Sequence, residues 1–196
     1  MITDEVRFER VLRWMRENVE LSSSIYRAND GTLQVDPMLD GQGHPIRIGN
    51  AKPDDLVGWT MNSGAALICS CYIDALGKIE RQLQGHNQST NRERFKTFVT
   101  QHMGDLVTEC DSKGGHYSVD TLYKTYRCGF VHQFADAVAI WDRLGRAGDY
   151  WFDYNGSPGL NIDRFASGTV DGIEHFRLAF RASGRPFADF FRLLEA

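Results

Sequence analysis

The feature that most constrains the fold is a long apolar segment in the first half of the chain. Residues 64–83 read GAALICSCYIDALGKIERQL, which is apolar around most of a helical circumference rather than along one stripe. Such a helix has no broad face suited to solvent, so other helices are expected to cover it. We therefore predict a central buried helix from about Asp55 to Gln84.

Shorter segments supply helices to cover this one. An N-terminal helix over residues 2–21 is predicted because apolar residues recur at helical spacing with charges between them: Phe8, Leu12, Met15 and Val19. Thr90 and Glu93 have the spacing of a capping box, which predicts a third helix that ends near Met103. Ser118 is a suitable N-cap for a fourth helix.

The remaining segments have a different character. Residues 22–55 are rich in turn-forming residues and predict a long connection. Between 137 and 165 the runs AVAIWD, YWFDY and LNIDRF are β-branched or aromatic and are separated by glycine-containing turns. This pattern predicts a small three-stranded antiparallel meander, with a single long helix through Leu144 as the alternative. Phenylalanine-rich patterns over 168–195 predict two short C-terminal helices.

Length and charge favour one domain of the mainly α (α+β) class over residues 1–196. A chain of 196 residues has the size of a single domain. The net charge of −4 argues against a general nucleic-acid coat protein or a polybasic membrane binder, but it permits a local basic cleft. The chain has no apolar run near the roughly 18 residues that span a bilayer, and its start lacks the apolar core of a signal peptide.

The cysteines indicate a reducing compartment, and no motif indicates a metal or a cofactor. The four cysteines lack the spacing of a disulfide framework, so we expect free thiols and a cytoplasmic location. Cys69 and Cys71 point about 200° apart on a helix and cannot jointly bind one ion. The sequence has no CxxC pair, no HExxH motif and no EF-hand loop. We therefore expect neither a metal nor a cofactor.

Polar functional groups concentrate on the predicted fourth helix, LYKTYRCGFVHQF at 122–134. Arg127 and His132 are five residues apart, which on a straight α-helix means about 140° of rotation and about 7.5 Å of rise. They do not stack, but they can flank a shared groove. Two copies of this helix meeting across a twofold axis would bring two arginines and two histidines into one cleft. The alternative is an arginine in an interface ion pair and a structural histidine.

Such a cleft suits RNA scission without a metal. Ribose carries a 2′-OH beside each phosphodiester and so provides an internal nucleophile. A neutral His132 can accept the hydroxyl proton, and a protonated histidine can supply a proton to the leaving oxygen. Arg127 offers fixed donors to the additional negative charge of the phosphorane.

Cys128 allows a second chemical hypothesis on the same helix. Cys128 and His132 are four residues apart and share a helical face. They can therefore form the thiolate–imidazole pair of a thiol hydrolase. A small cysteine that fills the core is the alternative for Cys128. The other histidines are expected to be solvated: His44, His86, His102, His116 and His175.

Three more residues are candidates for a supporting role. Lys124 can reach a phosphate and Tyr126 can stack on a base, although a solvated lysine and a core tyrosine are the favoured interpretations. Asp74 lies on the predicted central helix, where it is either exposed or in need of a partner. Arg127 is the candidate partner if Asp74 is buried.

The segment LYKTYRCGFVHQ resembles the signature of the HEPN superfamily (higher eukaryotes and prokaryotes nucleotide-binding), an arginine followed four to six residues later by a histidine. Arg127 and His132 take those places in this chain. The stretches CYIDALGKIERQL (71–83) and NRERFKTFV (91–99) are similar to the preceding helices of a bacterial HEPN-like group. The resemblance covers a bundle core at about 55–135, and leaves the meander and C-terminal helices as an extension.

The resemblance implies an up-and-down helical bundle that forms a homodimer through the motif helices. For catalytic members it implies metal-independent endoribonuclease activity, often in defence or toxin–antitoxin systems, with Arg127 and His132 catalytic. The implied partners are RNA or a nucleotide, a second copy of the chain and an antitoxin or other protein. Cys128 stands where catalytic members often carry a polar residue such as asparagine. This departure leaves open a noncatalytic module that binds nucleotides, RNA or proteins.

Overall fold

The computed structural model describes residues 2–24, 27–29, 32–34, 57–128, 140–142, 144 and 148–195. The helices are α1 (Asp4–Ser24), α2 (Val57–Leu83), α3 (Asn91–His102), α4 (Gly104–Lys113), α5 (Val119–Thr121), α6 (Ile162–Ala182) and α7 (Phe187–Glu195). A π-helical segment, Leu122–Cys128, continues directly from α5. The strands are β1 (Arg27–Asn29), β2 (Thr32–Gln34), β3 (Ile140–Asp142), β4 (Trp151–Tyr154) and β5 (Ser157–Asn161). The predicted mainly α (α+β) class is confirmed.

The central helix is α2, as its apolar sequence predicts. It packs against α1, α3, α6 and α7. Its fully buried apolar side chains are Ala65, Ala66, Cys69, Ile73, Leu76 and Ile79. Gly77 lies directly against the backbone of α3, because a Cβ atom there would lie 2.0 Å from the Arg94 carbonyl oxygen. This contact brings the two helices closer than any side chain at Gly77 would allow.

The first helix is fastened to the last two by aromatic packing and ion pairs. The ring centroid of Phe8 lies 5.1 Å from those of Phe180 and Phe187 and 5.0 Å from that of Phe190. Beside this cluster, carboxylates of α1 and α6 alternate with guanidinium groups in the pairs Arg16–Glu174, Arg177–Glu174, Arg177–Glu9, Arg181–Glu9 and Arg181–Glu5. The N- and C-terminal parts of the chain therefore share one core.

The small sheet differs from the predicted antiparallel meander. β4 and β5 form an antiparallel hairpin, but β3 pairs in parallel with the other edge of β5, so the strand order is β3-β5-β4. The outer edge of β4 is occupied by side chains of α4. Glu109 accepts the backbone N–H groups of Tyr150 and Trp151, and Lys113 donates to the Trp151 carbonyl oxygen. β5 therefore provides the edge that β3 joins.

The last predicted strand is also shorter than expected. The Asn161 side chain accepts the Arg164 backbone N–H and caps α6, so residues 162–165 begin a helix rather than extend the strand. The alternative of one helix through Leu144 is wrong at residues 140–142, which form β3. Within the turn-rich connection, β1 and β2 pair as a short antiparallel ladder.

The third helix begins at the predicted capping box. Thr90 Oγ1 accepts the Glu93 backbone N–H at 3.2 Å, and the Glu93 carboxylate accepts the Thr90 backbone N–H at 2.8 Å. We expect Thr90→Ala to lower the free energy of unfolding by about 1 kcal/mol, measured by urea denaturation. The control is Thr100→Ala, an exposed position on the same helix, which should change it by less than about 0.5 kcal/mol. Equal losses in the two variants would contradict the role of the cap.

Candidate functional site

The predicted fourth helix begins as expected and then changes its hydrogen-bonding pattern. The Ser118 hydroxyl accepts the Thr121 backbone N–H at 3.1 Å and caps α5. From Leu122 to Cys128 the chain is π-helical, so backbone hydrogen bonds join residues five apart. The prediction of a regular α-helix is wrong in this segment, and residues five apart now lie above one another. π-Helical turns are frequent at functional sites.

Arg127 forms an ion pair with Asp74, the partner proposed for it from the sequence. Arg127 Nη2 lies 2.6 Å from Asp74 Oδ2, and Nε donates to the same oxygen at 2.7 Å. The two side chains are only 13% and 16% exposed. The pair joins the π-helical segment to α2 and thereby holds Arg127 against the centre of the bundle.

Burial and pairing act in opposite directions on both charges. Burial raises the pKa of Asp74, and the hydrogen bond and charge of Arg127 offset that effect only in part. Burial lowers the pKa of Arg127, but the hydrogen bond and charge of Asp74, together with Tyr123 and Cys128, outweigh burial and raise the pKa of Arg127. Asp74 Oδ1 is buried without a hydrogen-bond partner in the described part of the chain. The charged form of Asp74 therefore depends more on Arg127 than the charged form of Arg127 depends on Asp74.

Tyr123 is a third member of the site, and the sequence did not single it out. Its ring centroid lies 5.7 Å from Arg127 Cζ and 5.6 Å from the ring centroid of Phe95 on α3. Burial, and then the Cys128 thiol five residues further along the chain, raise the pKa of Tyr123 to about 12. Tyr123 and Arg127 are four residues apart, a spacing that could have predicted their contact from the sequence.

The two other supporting candidates lie in different surroundings. Tyr126 is 2% exposed, its hydroxyl donates to the Pro158 carbonyl oxygen at 2.8 Å, and its ring lies 5.8 Å from that of Trp151. It therefore anchors the sheet to the helical core, as the favoured interpretation predicted, rather than facing solvent. Lys124 is exposed on the π-helical segment. It is three residues before Arg127 in the chain.

His132 lies outside the described residues. The pairing of His132 with Arg127 and its pairing with Cys128 both remain predictions. Cys128 itself is half-buried with a free thiol.

One histidine is buried where a solvated one was predicted. His102 is 6% exposed, and its Nε2 lies 2.8 Å from Glu80 Oε1. Its ring packs against Phe98 and Phe176. The prediction was wrong because the carboxylate that satisfies His102 comes from α2, which no local pattern around residue 102 reveals. His86, His116 and His175 are exposed, as predicted, whereas His44 lies outside the described residues.

Metal ligation and membrane insertion find no support within the described ranges. The histidine, cysteine and acidic side chains there form no group of three or more that could hold a metal ion. None of the helices there combines the length and the apolar character needed to cross a bilayer. Comparison of the chain with known protein families, curated proteins and solved structures gives no match.

Proposed function

We propose that the chain is a HEPN-like homodimer that cleaves RNA without a metal ion, in a cleft where two copies of the motif segment meet. Arg127 binds the scissile phosphate, and His132 transfers protons. The observation that supports this proposal is the ion pair with Asp74, which holds Arg127 beside α2 and uses only two of its N–H groups. A guanidinium has five N–H groups, and the bonds to Asp74 leave three without a partner among the described residues.

The proposed reaction is an internal transesterification. His132 takes the proton of a ribose 2′-OH, and the 2′ oxygen attacks the adjacent phosphorus. The bond from phosphorus to the 5′ oxygen of the next nucleotide breaks, and His132 of the second copy protonates that oxygen. The products are a 2′,3′-cyclic phosphate and a 5′-hydroxyl end. Arg127 stabilises the negative charge that develops on the phosphorane oxygens.

The test is cleavage of a labelled mixed-sequence RNA in excess EDTA. We expect the wild type to cut, and His132→Ala at equal dimer concentration to cut about a hundredfold more slowly because it lacks the proton-transfer group. Arg127→Lys should also cut more slowly, because an ammonium keeps the charge but loses the planar fork of donors. Gel analysis of the fragment ends should show the cyclic phosphate.

A matched arginine provides the control. Arg92 pairs with Asp120 at 2.7 Å, but on the surface, where the side chains are 48% and 36% exposed. Arg92→Ala should therefore cut like the wild type. Full cleavage by His132→Ala would overturn the proposed mechanism.

A noncatalytic module is the second candidate, and the ion pair itself favours it. Asp74 already balances the charge of Arg127, so the arginine has less net charge to offer a developing phosphorane. Such a module would bind RNA, a nucleotide or a partner protein such as an antitoxin in the cytoplasm. Under this function the wild type binds one of these ligands without cutting RNA, and Arg127→Ala weakens binding. Cleavage that Arg127→Ala abolishes would exclude it.

The third candidate, a thiol hydrolase, uses Cys128 and His132. The Cys128 thiol is free and only half-buried. Ester hydrolysis that Cys128→Ser abolishes would support this function, and hydrolysis that survives the substitution would dismiss it.

A further inference from the structure

The ion pair with Asp74 does not by itself fix the orientation of Arg127. Both donors, Nε and Nη2, converge on a single oxygen, Asp74 Oδ2. A fork that uses two carboxylate oxygens defines the guanidinium plane through two parallel hydrogen bonds. A single acceptor lets that plane tilt about the shared oxygen. The three remaining N–H groups therefore need a second contact to hold their directions.

Tyr123 makes that second contact. Its ring centroid is 5.7 Å from Arg127 Cζ, within the range of a cation–π interaction. A guanidinium also stacks on an aromatic face, and such stacking limits tilting of its plane. The contact comes from the same π-helical segment as Arg127, whereas Asp74 comes from α2. Arg127 is thus held from two independent elements.

Tyr123 is itself held in place. Its ring packs on Phe95 of α3, with centroids 5.6 Å apart. The Tyr123 ring therefore joins α3 to the π-helical segment and also lies under the Arg127 guanidinium.

We infer that Tyr123 is a positioning residue, which holds the Arg127 guanidinium so that its free N–H groups present a fixed binding surface to a phosphodiester of RNA. The choice of ligand rests on the proposed function. The positioning of the guanidinium does not, because it follows from contacts within the chain.

The test uses the full chain and compares Tyr123→Leu, which removes the ring, with Tyr123→Phe, which keeps it. The first readout is the solvent-exchange rate of the Arg127 Nε–H proton, measured by ¹⁵N NMR without RNA. We expect Tyr123→Leu to raise this rate about tenfold, the change that matches loss of a partly buried cation–π contact. Tyr123→Phe should restore most of the protection.

The second readout is RNA cleavage in EDTA. We expect Tyr123→Leu to lower kcat about tenfold and to change KM less, because misdirected donors lose contacts that strengthen in the transition state. The matched control is Tyr117→Leu, which removes another tyrosine that faces a cation, Lys113 Nζ at 5.9 Å, away from Arg127. It should leave the exchange rate of Arg127 Nε–H unchanged.

The outcomes separate this inference from the proposed function. If Tyr123→Leu raises the exchange rate while no protein cuts RNA, the positioning role stands and the ribonuclease proposal fails. An unchanged exchange rate in Tyr123→Leu overturns the positioning role, even if the wild type cuts RNA. Equal acceleration by Tyr123→Phe also overturns it, since the hydroxyl rather than the ring would then hold Arg127. If Tyr123→Leu does not fold, Tyr123→Met replaces it with the same expected results.

Discussion

Gly77→Ala is expected to lower the free energy of unfolding by about 3 kcal/mol or more, toward the upper range for overpacked cores. A Cβ atom at residue 77 would lie 2.0 Å from the Arg94 carbonyl oxygen and 2.6 Å from its carbonyl carbon. Both are backbone atoms, so no side chain can rotate away, and α3 as a whole must move. Urea denaturation followed by far-UV circular dichroism measures the loss.

Gly64 provides a matched control in the same helix. Among the described residues, no heavy atom would lie within 4 Å of a Cβ atom at residue 64. Gly64→Ala should therefore raise stability by about 0.5–1 kcal/mol, since alanine is the better helix former. A loss from Gly77→Ala no greater than about 1 kcal/mol would show that the two helices separate more easily than their contact indicates.

Features set by neighbouring residues were predictable from the sequence. The apolar circumference of residues 64–83 predicted a central helix, and α2 occupies that place. The caps at Thr90 and Ser118 lie where their patterns put them, because a cap involves only a few consecutive residues. The partner of Asp74 was also predictable, since a buried carboxylate needs a cation and Arg127 was the candidate.

Features set by distant residues were not predictable. The position of β3 beside β5 follows from the occupation of the outer edge of β4 by Glu109 and Lys113, which lie on α4. The burial of His102 depends on Glu80, which is 22 residues away in the chain. Hydrophobic periodicity carries no information about either contact, because it records only which face of an element is apolar.

The π-helical segment explains why the site was only partly predicted. Its residues form an ordinary amphipathic pattern, and an α-helix was the natural interpretation. The contacts that accompany the π-helical winding reach Asp74, 53 residues before Arg127, and Phe95 on α3. Tyr123 consequently looked like a core residue, and its contact with Arg127 became visible only in three dimensions.

Arg127→Ala is the second substitution with a large expected effect on stability. Removing one member of a buried ion pair leaves the other charge without compensation, so we expect a loss of about 3–4 kcal/mol at neutral pH. The control is Arg92→Ala, whose pair with Asp120 is 48% and 36% exposed. It should lose far less stability, because an ion pair on the surface is screened by solvent. Denaturant titrations of both variants measure the difference.

The loss in Arg127→Ala should depend on pH in a defined direction. Burial already raises the pKa of Asp74, and Arg127 lowers it, so the variant raises the pKa of folded Asp74 further. A pKa that is higher in the folded state than in the unfolded state means that the folded state takes up the proton first. The variant should therefore recover stability relative to the wild type as the pH falls through the pKa of folded Asp74.

Adding Asp74→Asn identifies the group responsible for this pH dependence. The double variant Arg127→Ala with Asp74→Asn has no buried carboxylate at residue 74, so it should recover much of the loss at neutral pH. Its difference from the wild type should also lose the recovery at acidic pH that Asp74 causes in the single variant. If the single variant shows the same loss at neutral and acidic pH, an unpaired Asp74 carboxylate is not its cause. The lost packing of the Arg127 side chain would then account for the destabilisation.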